Sequence, residues 1–267
     1  MSLTPYDWNE SVQTRSDWVE TRLSKGSPVV GISYPEGILL LTLHRTRRKV
    51  FEVYDRLMLS ALGQESDVEA IRLASIDFAH REGFTRSPED VTAMRLVGSV
   101  LSPALKRAFG DPMTAPFIFK GLVAELGATP EQDLFLSLSF DGEFRTGTRH
   151  SVLGGTAAAE ESMARMIADC SPVHLDEALK LAVRVWATGA AAAGDVVLGG
   201  LRRKDPDEED AENAVGAAEW LERELKLGSL EAGVLHRNPR AESRFELVDQ
   251  DRLSTAAQAA GADLAAG

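Results

Sequence analysis

The sequence has a single cysteine, Cys170, among its 267 residues. One thiol cannot form a disulfide within the chain or a zinc site of several cysteines, and the five histidines lack metal-ligand spacing. No apolar run approaches the roughly 20 residues that cross a bilayer, and Met1–Asp7 lacks the basic flank and apolar stretch of an export signal. We therefore expect a cytoplasmic protein without a metal, a cofactor or a membrane partner.

Basic residues are also in deficit, because 29 Lys and Arg face 41 Asp and Glu, which gives a formal net charge of −12. An acidic surface repels the phosphates of nucleic acid, so we expect no nucleic-acid partner. The hydrophobic content of 44% and the charged content of 26% are ordinary for a globular protein. The composition thus excludes a wholly disordered or fibrous chain, and the length fits one domain with appendages.

Apolar runs and amphipathic segments alternate in blocks along the chain. An N-terminal helix is predicted over residues 9–25, and a hairpin is predicted where two apolar runs flank the turn residues Pro35 and Gly37. Further strands and two helix pairs follow in the order strands, helix pair, strands, helix pair. This order predicts an α+β fold, a four-layer αββα sandwich with two packed sheets and a helix pair on each outer face.

Two segments depart from this pattern. Residues 190–228 are predicted to form an acidic helical insertion, with a flexible stretch at Ala190–Gly194 and a run of acids at Asp205–Asp210. The last residues, 254–267, are rich in Ala and Gly, and we expect a disordered tail there. Residues 1–253 then form the single folded domain.

Short motifs occur in a fixed order along the chain: Lys25-Gly26-Ser27, Val30-Gly31-Ile32, Lys49, Tyr54-Asp55-Arg56, Ala61-Leu62-Gly63, Leu153-Gly154-Gly155-Thr156 and Ser229-Leu230-Glu231. Together they resemble the α-type subunit of bacterial proteasome core particles, over about residues 8–190 and 228–250. The resemblance implies the sandwich of the N-terminal-nucleophile hydrolases. It also implies a heptameric ring of copies that caps a ring of proteolytic β-type subunits and docks a ring ATPase.

The catalytic relatives need an N-terminal hydroxyl, a lysine and an orienting acid. In their register, Ser27 occupies the nucleophile position and Lys49 the lysine position, but the acid position is Leu43. Ser27 is also internal and has no free amine, so we predict a non-catalytic subunit of a threonine-protease complex. Two alternatives stay open: a self-compartmentalising Ser/Thr-type hydrolase that uses Ser27 and Lys49 after residues 1–26 are removed, and a proteasome-like scaffold without a proteolytic partner.

The resemblance also implies a docking pocket for the ATPase at Lys49, Gly63 and Gln64, in which the lysine pairs with a C-terminal carboxylate of the activator. A basic, solvated edge strand over residues 45–49 is the alternative for this segment. Residues 1–8 are expected to form the gate, with Pro5, Tyr6, Asp7 and Trp8 packed around the ring axis. Three apolar residues of the predicted helix, Trp18, Val19 and Leu23, would be exposed on a monomer, so we expect ring formation to bury them.

Overall fold

The computed structural model describes residues 5–197, 206–238 and 243–266. Its helices are α1 (Pro5–Leu23), α2 (Glu65–Thr85), α3 (Ala93–Leu96), α4 (Ser102–Gly110), α5 (Ala157–Ile167), α6 (Leu175–Val197), α7 (Pro206–Leu225) and α8 (Gln250–Ala266). A π-helical turn, Val97–Leu101, joins α3 to α4, and 3₁₀ turns lie at Pro88–Asp90 and Pro130–Gln132. The strands are β1 (Val29–Tyr34), β2 (Gly37–His44), β3 (Val50–Tyr54), β4 (Leu57–Gly63), β5 (Phe119–Glu125), β6 (Leu134–Leu138), β7 (Phe144–Gly147), β8 (His150–Leu153), β9 (Ser229–His236) and β10 (Phe245–Leu247).

The strands form two antiparallel sheets of five strands each. The first sheet has the order β10-β9-β2-β1-β8 and the second the order β3-β4-β5-β6-β7. The hairpin predicted around Pro35 is present, because β1 pairs with β2 from Val29 opposite Thr42 to Tyr34 opposite Gly37. The two sheets pack face to face with helices outside both, which confirms the α+β sandwich.

Apolar side chains fill three layers of contact. Ile38 and Leu40 of β2 meet Leu122 of β5 between the sheets. On the outer face of the second sheet, helices α2, α3 and α4 cover strands β4, β5 and β6. The outer face of the first sheet carries α5, α6, α7 and α8 rather than the helix pair that was expected.

The N-terminal helix begins earlier than the sequence pattern predicted, at Pro5. The proposed gate residues Pro5, Tyr6, Asp7 and Trp8 therefore belong to α1 instead of a separate segment, while residues 1–4 lie outside the described ranges. Proline is favoured at the start of a helix because its missing N–H has no partner to lose there. The boundary expected between gate and helix at residue 8 was thus wrong.

The apolar residues of α1 also differ from the expectation. Val19 and Leu23 are fully buried in the core between the sheets of their own chain, so ring formation is not needed to cover them. Trp18 is 41% exposed and Trp8 is 42% exposed. From Trp8 onward, where the side chains of the helix are described, these two tryptophans are its large exposed apolar residues.

In the described residues of the segment 190–228, two helices, α6 and α7, pack against each other. Ala190–Gly194 was expected to be flexible, but it continues helix α6, because four consecutive alanines before Gly194 favour helix. A Cβ atom on Gly194 would lie 2.0 Å from the ring of Trp220, so the glycine lets α7 approach α6 closely. The acids of residues 206–210 lie in the first turns of α7, and Asp205 lies outside the described residues.

The Ala-rich C-terminus is ordered, and the expected disordered tail over 254–267 was wrong for residues 254–266, which belong to α8. Its buried residues are spaced as one helical stripe, namely Leu253, Ala256, Ala257, Ala260 and Leu264. Alanine has the highest helix propensity, and its small side chain lets α8 pack closely on α6 and α7. None of the described helices has both the length and the apolar character needed to cross a membrane.

A buried ion pair joins the two sheets at the end of β9. The guanidinium of Arg237 donates two parallel hydrogen bonds to the carboxylate of Asp133, at 3.0 Å from Nη1 and 2.8 Å from Nη2. Asp133 also accepts from the Ser33 hydroxyl at 2.6 Å and from the Gly127 amide at 2.8 Å. Because the Asp133 side chain has no exposed surface, its charge depends entirely on these donors.

We predict that Arg237→Ala lowers the free energy of unfolding by about 3–5 kcal/mol, because it leaves a buried carboxylate without its counter-charge. Urea denaturation followed by circular dichroism measures the loss. Arg252→Ala removes a more exposed ion pair, with Asp176, and should cost about 0–1 kcal/mol. Equal losses in the two variants would show that the Arg237 pair has no special role.

Candidate docking site

A cavity of about 740 Å³ opens where the end of α1, the end of β2, the start of α2 and the helices α6 and α7 meet. Ser27 and Lys49 both line it, so the structure brings together the two residues that the catalytic register had paired. Gly63 lines it as well, whereas Gln64 lies in the adjacent cavity of about 480 Å³ beside Trp18 and Lys25. Gly63 also lines that second cavity and so joins the two.

Ser27 lies in the turn between α1 and β1, where its hydroxyl is held by neighbouring groups. Its Oγ accepts hydrogen bonds from the indole Nε1 of Trp186 at 3.0 Å and from the amide of Leu43 at 3.3 Å. Oγ also lies 3.4 Å from the hydroxyl of Thr42, which donates to the Pro28 carbonyl at 2.7 Å. The Ser27 hydroxyl is therefore an acceptor inside a structural network.

The acid position of the catalytic register is occupied by a packed side chain. Leu43 is 1% exposed and belongs to the core between the first sheet and its helices. No carboxylate of the described residues lies within 4.0 Å of the Lys49 ammonium. The described residues therefore lack the acid that would orient Lys49 beside a nucleophilic hydroxyl.

A buried acid on strand β9 of the first sheet positions Lys49 by hydrogen bonds to the backbone. Glu231 of β9 is 5% exposed and accepts from the amide of Lys49 at 2.8 Å and from the amide of Val50 at 3.5 Å. This fixes the end of the β2–β3 connection and leaves the half-buried lysine side chain at the cavity. Sequence reasoning missed the role of Glu231, although a single acid inside the apolar strand Leu230–Leu235 is a signal for it.

Burial lowers the pKa of Lys49 below the ordinary value for a lysine, since desolvation disfavours the charged form. The neighbouring guanidinium of Arg45 lowers it further, whereas Glu231 and Glu65 act in the opposite direction. The site therefore holds an ammonium that an incoming carboxylate would stabilise.

Gly63 forms the turn that opens the cavity between β4 and α2. Its φ of +143° is in the region that favours glycine, and a Cβ atom there would lie 2.1 Å from the carbonyl oxygen of Ile118. The same carbonyl accepts the amide of Gln64 at 2.9 Å, which fixes the start of α2. A side chain at position 63 would displace this backbone and narrow the entrance.

Helix α7 forms one wall of the cavity, which the sequence pattern did not predict. Trp220, Arg223 and Glu224 line it from this helix, opposite Arg45 and Trp186. The carboxylate of Glu224 pairs with Arg45 at 3.0 Å. The three residues of α7 belong to the acidic helical insertion predicted over 190–228. Contacts so distant in sequence leave no local pattern that could place the helix at the cavity.

Proteins named proteasome subunit alpha match the chain over most of its length. The protein of Actinosynnema mirum is 32% identical over 186 residues, which cover 69% of this chain and 70% of its own. That of Xylanimonas cellulosilytica is 30% identical over 233 residues, with 85% and 84% covered, and that of Thermobifida fusca is 28% identical over 271 aligned positions, with 97% and 92% covered. The chain belongs to the proteasome α-subunit family. This confirms the resemblance carried by the short motifs, although no family model matches the sequence.

For a member of this family, the network around Ser27 gives a direct test of the alternative hydrolase. We predict that the purified chain keeps residues 1–26, apart from the initiator methionine, because the Ser27 hydroxyl is engaged by Trp186 and lacks an orienting acid. Intact-mass spectrometry of the protein measures this against the full-chain mass of 28.9 kDa. Loss of Met1–Gly26 would contradict the prediction.

The control is Ser27→Ala, which removes the only hydroxyl of the proposed nucleophile. It should keep residues 1–26, so that its mass falls only by the one oxygen atom that the substitution removes. It should also lower the free energy of unfolding by about 1–3 kcal/mol, since the Trp186 indole N–H loses its acceptor. This stability loss distinguishes a structural hydroxyl from a catalytic one.

Proposed function

We propose that the chain forms the α ring of a bacterial proteasome core particle, as a non-catalytic subunit that controls substrate entry and docks a ring ATPase. The observation that carries this proposal is the similarity to proteasome subunit alpha proteins over most of the chain. The N-terminal helix and the two sheets agree with the fold that the resemblance implies. Its partners would be further copies of itself in a heptameric ring, a ring of β-type subunits and the ATPase. We place this assembly in the cytoplasm.

The geometry of the cavity supports a non-catalytic role. A self-processing hydrolase would have to release Ser27 from Trp186 and free its amine by cleaving the chain behind a helix whose Val19 and Leu23 are buried in the core. Such a cleavage would remove core side chains. Proteolysis would then belong to the β-type partner.

Assembly into a ring is supported by the exposed face of α1. Trp8 and Trp18 keep about two fifths of their surface exposed, and Arg22 stacks on the Trp18 ring at 4.3 Å from its centroid. Tryptophan and arginine are enriched in protein interfaces. A neighbouring copy that covers this face would also cover the cavity beside Gly63 and Gln64, where Trp18 is a lining residue.

Docking of the ATPase is proposed at Lys49. A terminal carboxylate that enters the cavity would meet an ammonium that has no carboxylate partner within 4.0 Å among the described residues. Glu231 fixes the backbone of Lys49, and the half-buried lysine side chain lines the cavity, where a carboxylate could reach it. The segment Arg45–Lys49 would then be a binding element rather than only a solvated edge.

We predict that Lys49→Gln strongly reduces ATPase-driven degradation of a folded substrate, because losing a partly desolvated charge pair typically costs about 2–5 kcal/mol in binding. Hydrolysis of small peptides by the core particle should be unchanged. The measurement compares both activities in assembled particles. Arg48→Gln is the matched control, since Arg48 is exposed and does not line the cavity. Normal degradation with Lys49→Gln would remove Lys49 from the proposed pocket.

The lowered pKa of Lys49 predicts a pH dependence of tail binding. The ammonium is charged below its pKa, so affinity for a C-terminal carboxylate should be highest at the neutral end of the titrated pH range. It should then fall as the pH rises through a value below that of an exposed lysine. Arg45→Gln removes a neighbouring positive charge and should move the fall to higher pH. Fluorescence anisotropy of a labelled tail peptide, titrated from neutral to alkaline pH, measures both curves, and an unshifted curve would contradict the prediction.

The gate is proposed at residues 1–8, with Pro5, Tyr6, Asp7 and Trp8 forming the first turn of α1. Copies of this segment would meet at the ring axis and exclude solvent together, which a single copy cannot do. We predict that deletion of residues 2–8 raises peptide hydrolysis by the assembled core particle. The helix from Asn9 onward, with its buried Val19 and Leu23, stays intact.

Peptide turnover at equal particle concentration measures the effect, and the particle mass from light scattering is the control for assembly. Deletion of residues 2–4 alone separates the part before α1 from its first turn. Equal turnover by the full-length and both shortened particles would show that these residues do not obstruct the entrance.

A further inference from the structure

The cavity beside Lys49 is strongly cationic, although the chain as a whole has a net charge of −12. Six basic side chains line it, namely Arg22, Lys25, Arg45, Arg47, Lys49 and Arg223. Only two acids do so, Glu65 and Glu224. This local excess of positive charge is opposite in sign to the rest of the molecule and requires an explanation.

The two acids are already paired with two of the cations. Glu224 lies 3.0 Å from Arg45 and Glu65 lies 3.6 Å from Arg47. In residues 5–197, 206–238 and 243–266, no carboxylate of described position lies within 4.0 Å of the side-chain nitrogens of the other four cations, Arg22, Lys25, Lys49 and Arg223. The carboxylates whose positions are described therefore do not neutralise these four cations.

Two of the four are held in place by aromatic rings. The guanidinium of Arg22 lies 4.3 Å from the centroid of Trp18, and that of Arg223 lies 4.9 Å from the centroid of Trp220. Stacking orients a guanidinium and leaves its N–H edge free to donate to a carboxylate. The two arginines stand on different helices, α1 and α7, so they flank the cavity from separate elements.

The interior of the cavity is different in character. Five buried residues give it an apolar surface, and Lys49, which also lines the cavity, is half-buried: Pro28, Leu43, Trp186, Ala190 and Ala193. Such a lining suits an apolar side chain next to a terminal carboxylate, and the cations other than the half-buried Lys49 are exposed to solvent. A small inorganic anion would use the cations and leave this apolar surface unfilled.

We infer that the tail taken up by this cavity is acidic upstream of its C-terminus. Lys49 binds the terminal carboxylate, and Arg22, Lys25 and Arg223 bind the side-chain carboxylates of preceding residues. This inference rests on the proposed docking function and specifies its partner as a C-terminal segment with an apolar end and an acidic stretch before it. The charge complementarity gives the cavity a means of selecting among tails.

Three fluorescein-labelled peptides test this with the full-length chain in the assembled particle. The first ends in a free leucine and has three acidic residues at the fourth to sixth positions from its C-terminus. In the second the acids are glutamines, and the third is the acidic peptide with an amidated C-terminus. Fluorescence anisotropy at low salt should give an affinity about tenfold weaker for the glutamine peptide, as expected for several exposed charge pairs together.

The triple variant Arg22→Ala, Lys25→Ala and Arg223→Ala should bind the acidic and glutamine peptides equally. Its matched control is Arg81→Ala, Arg145→Ala and Arg165→Ala, which removes three exposed cations that do not line the cavity and changes the net charge by the same amount. The control should keep the tenfold preference. If both triple variants lost the preference for the acidic peptide over the glutamine peptide, the preference would be an effect of net charge and the inference would be wrong.

The peptides separate this inference from the function on which it rests. If amidation weakens binding and the acids make no difference, the docking proposal stands and the acidic-tail inference is wrong. If no peptide binds, both are wrong. Binding of inorganic triphosphate without binding of any peptide would assign the cavity to a small phosphate ligand and would also overturn the inference.

Discussion

Strand β2 is buried on both faces, and this constraint determines the layers of the molecule. Leu39 and Leu41 face the helices outside the first sheet, while Ile38 and Leu40 face the second sheet. A strand with leucine or isoleucine on both sides is stable only where water is excluded from both. The first sheet therefore needs a complete outer helical layer, and the Ala-rich α8 is part of that layer because it covers apolar surface that α5 and α6 leave uncovered.

The end of β2 also determines the chemistry of the cavity. Thr42 and Leu43 are the last buried residues of the strand, and they contact Ser27 through a hydroxyl and an amide. Leucine at position 43 completes the packing against the helices and at the same time removes the acid that a nucleophilic hydroxyl would need. The packing and the proposed absence of catalysis thus both follow from the Leu43 side chain. Lys49, whose backbone is fixed by Glu231 of β9, stays available for the proposed binding.

Local patterns were sufficient for elements whose cause is local. The hairpin turn at Pro35 and Gly37 follows from residues next to each other in the sequence. The composition could not predict that α8 is an ordered helix, because Ala and Gly are common in both disordered tails and closely packed helices. The spacing of Leu253, Ala260 and Leu264 was nevertheless a usable signal for a helix. The hydrogen bond from Trp186 to Ser27 spans 159 residues, and such contacts depend on the whole fold.

The charge of the cavity and the charge of the chain act over different distances. At physiological ionic strength, interactions between exposed charges are screened beyond about 8 Å, so a tail inside the cavity responds to the nearby cations and only weakly to the distant acids. An acidic tail that approaches the protein is first repelled by the net negative charge of the chain. This repulsion slows association most at low salt. Local attraction and general repulsion together favour a partner that is brought to the proposed ring by other contacts and inserts its tail afterwards. A ring ATPase that presents several tails at once satisfies this condition, because each tail then binds at a high effective concentration.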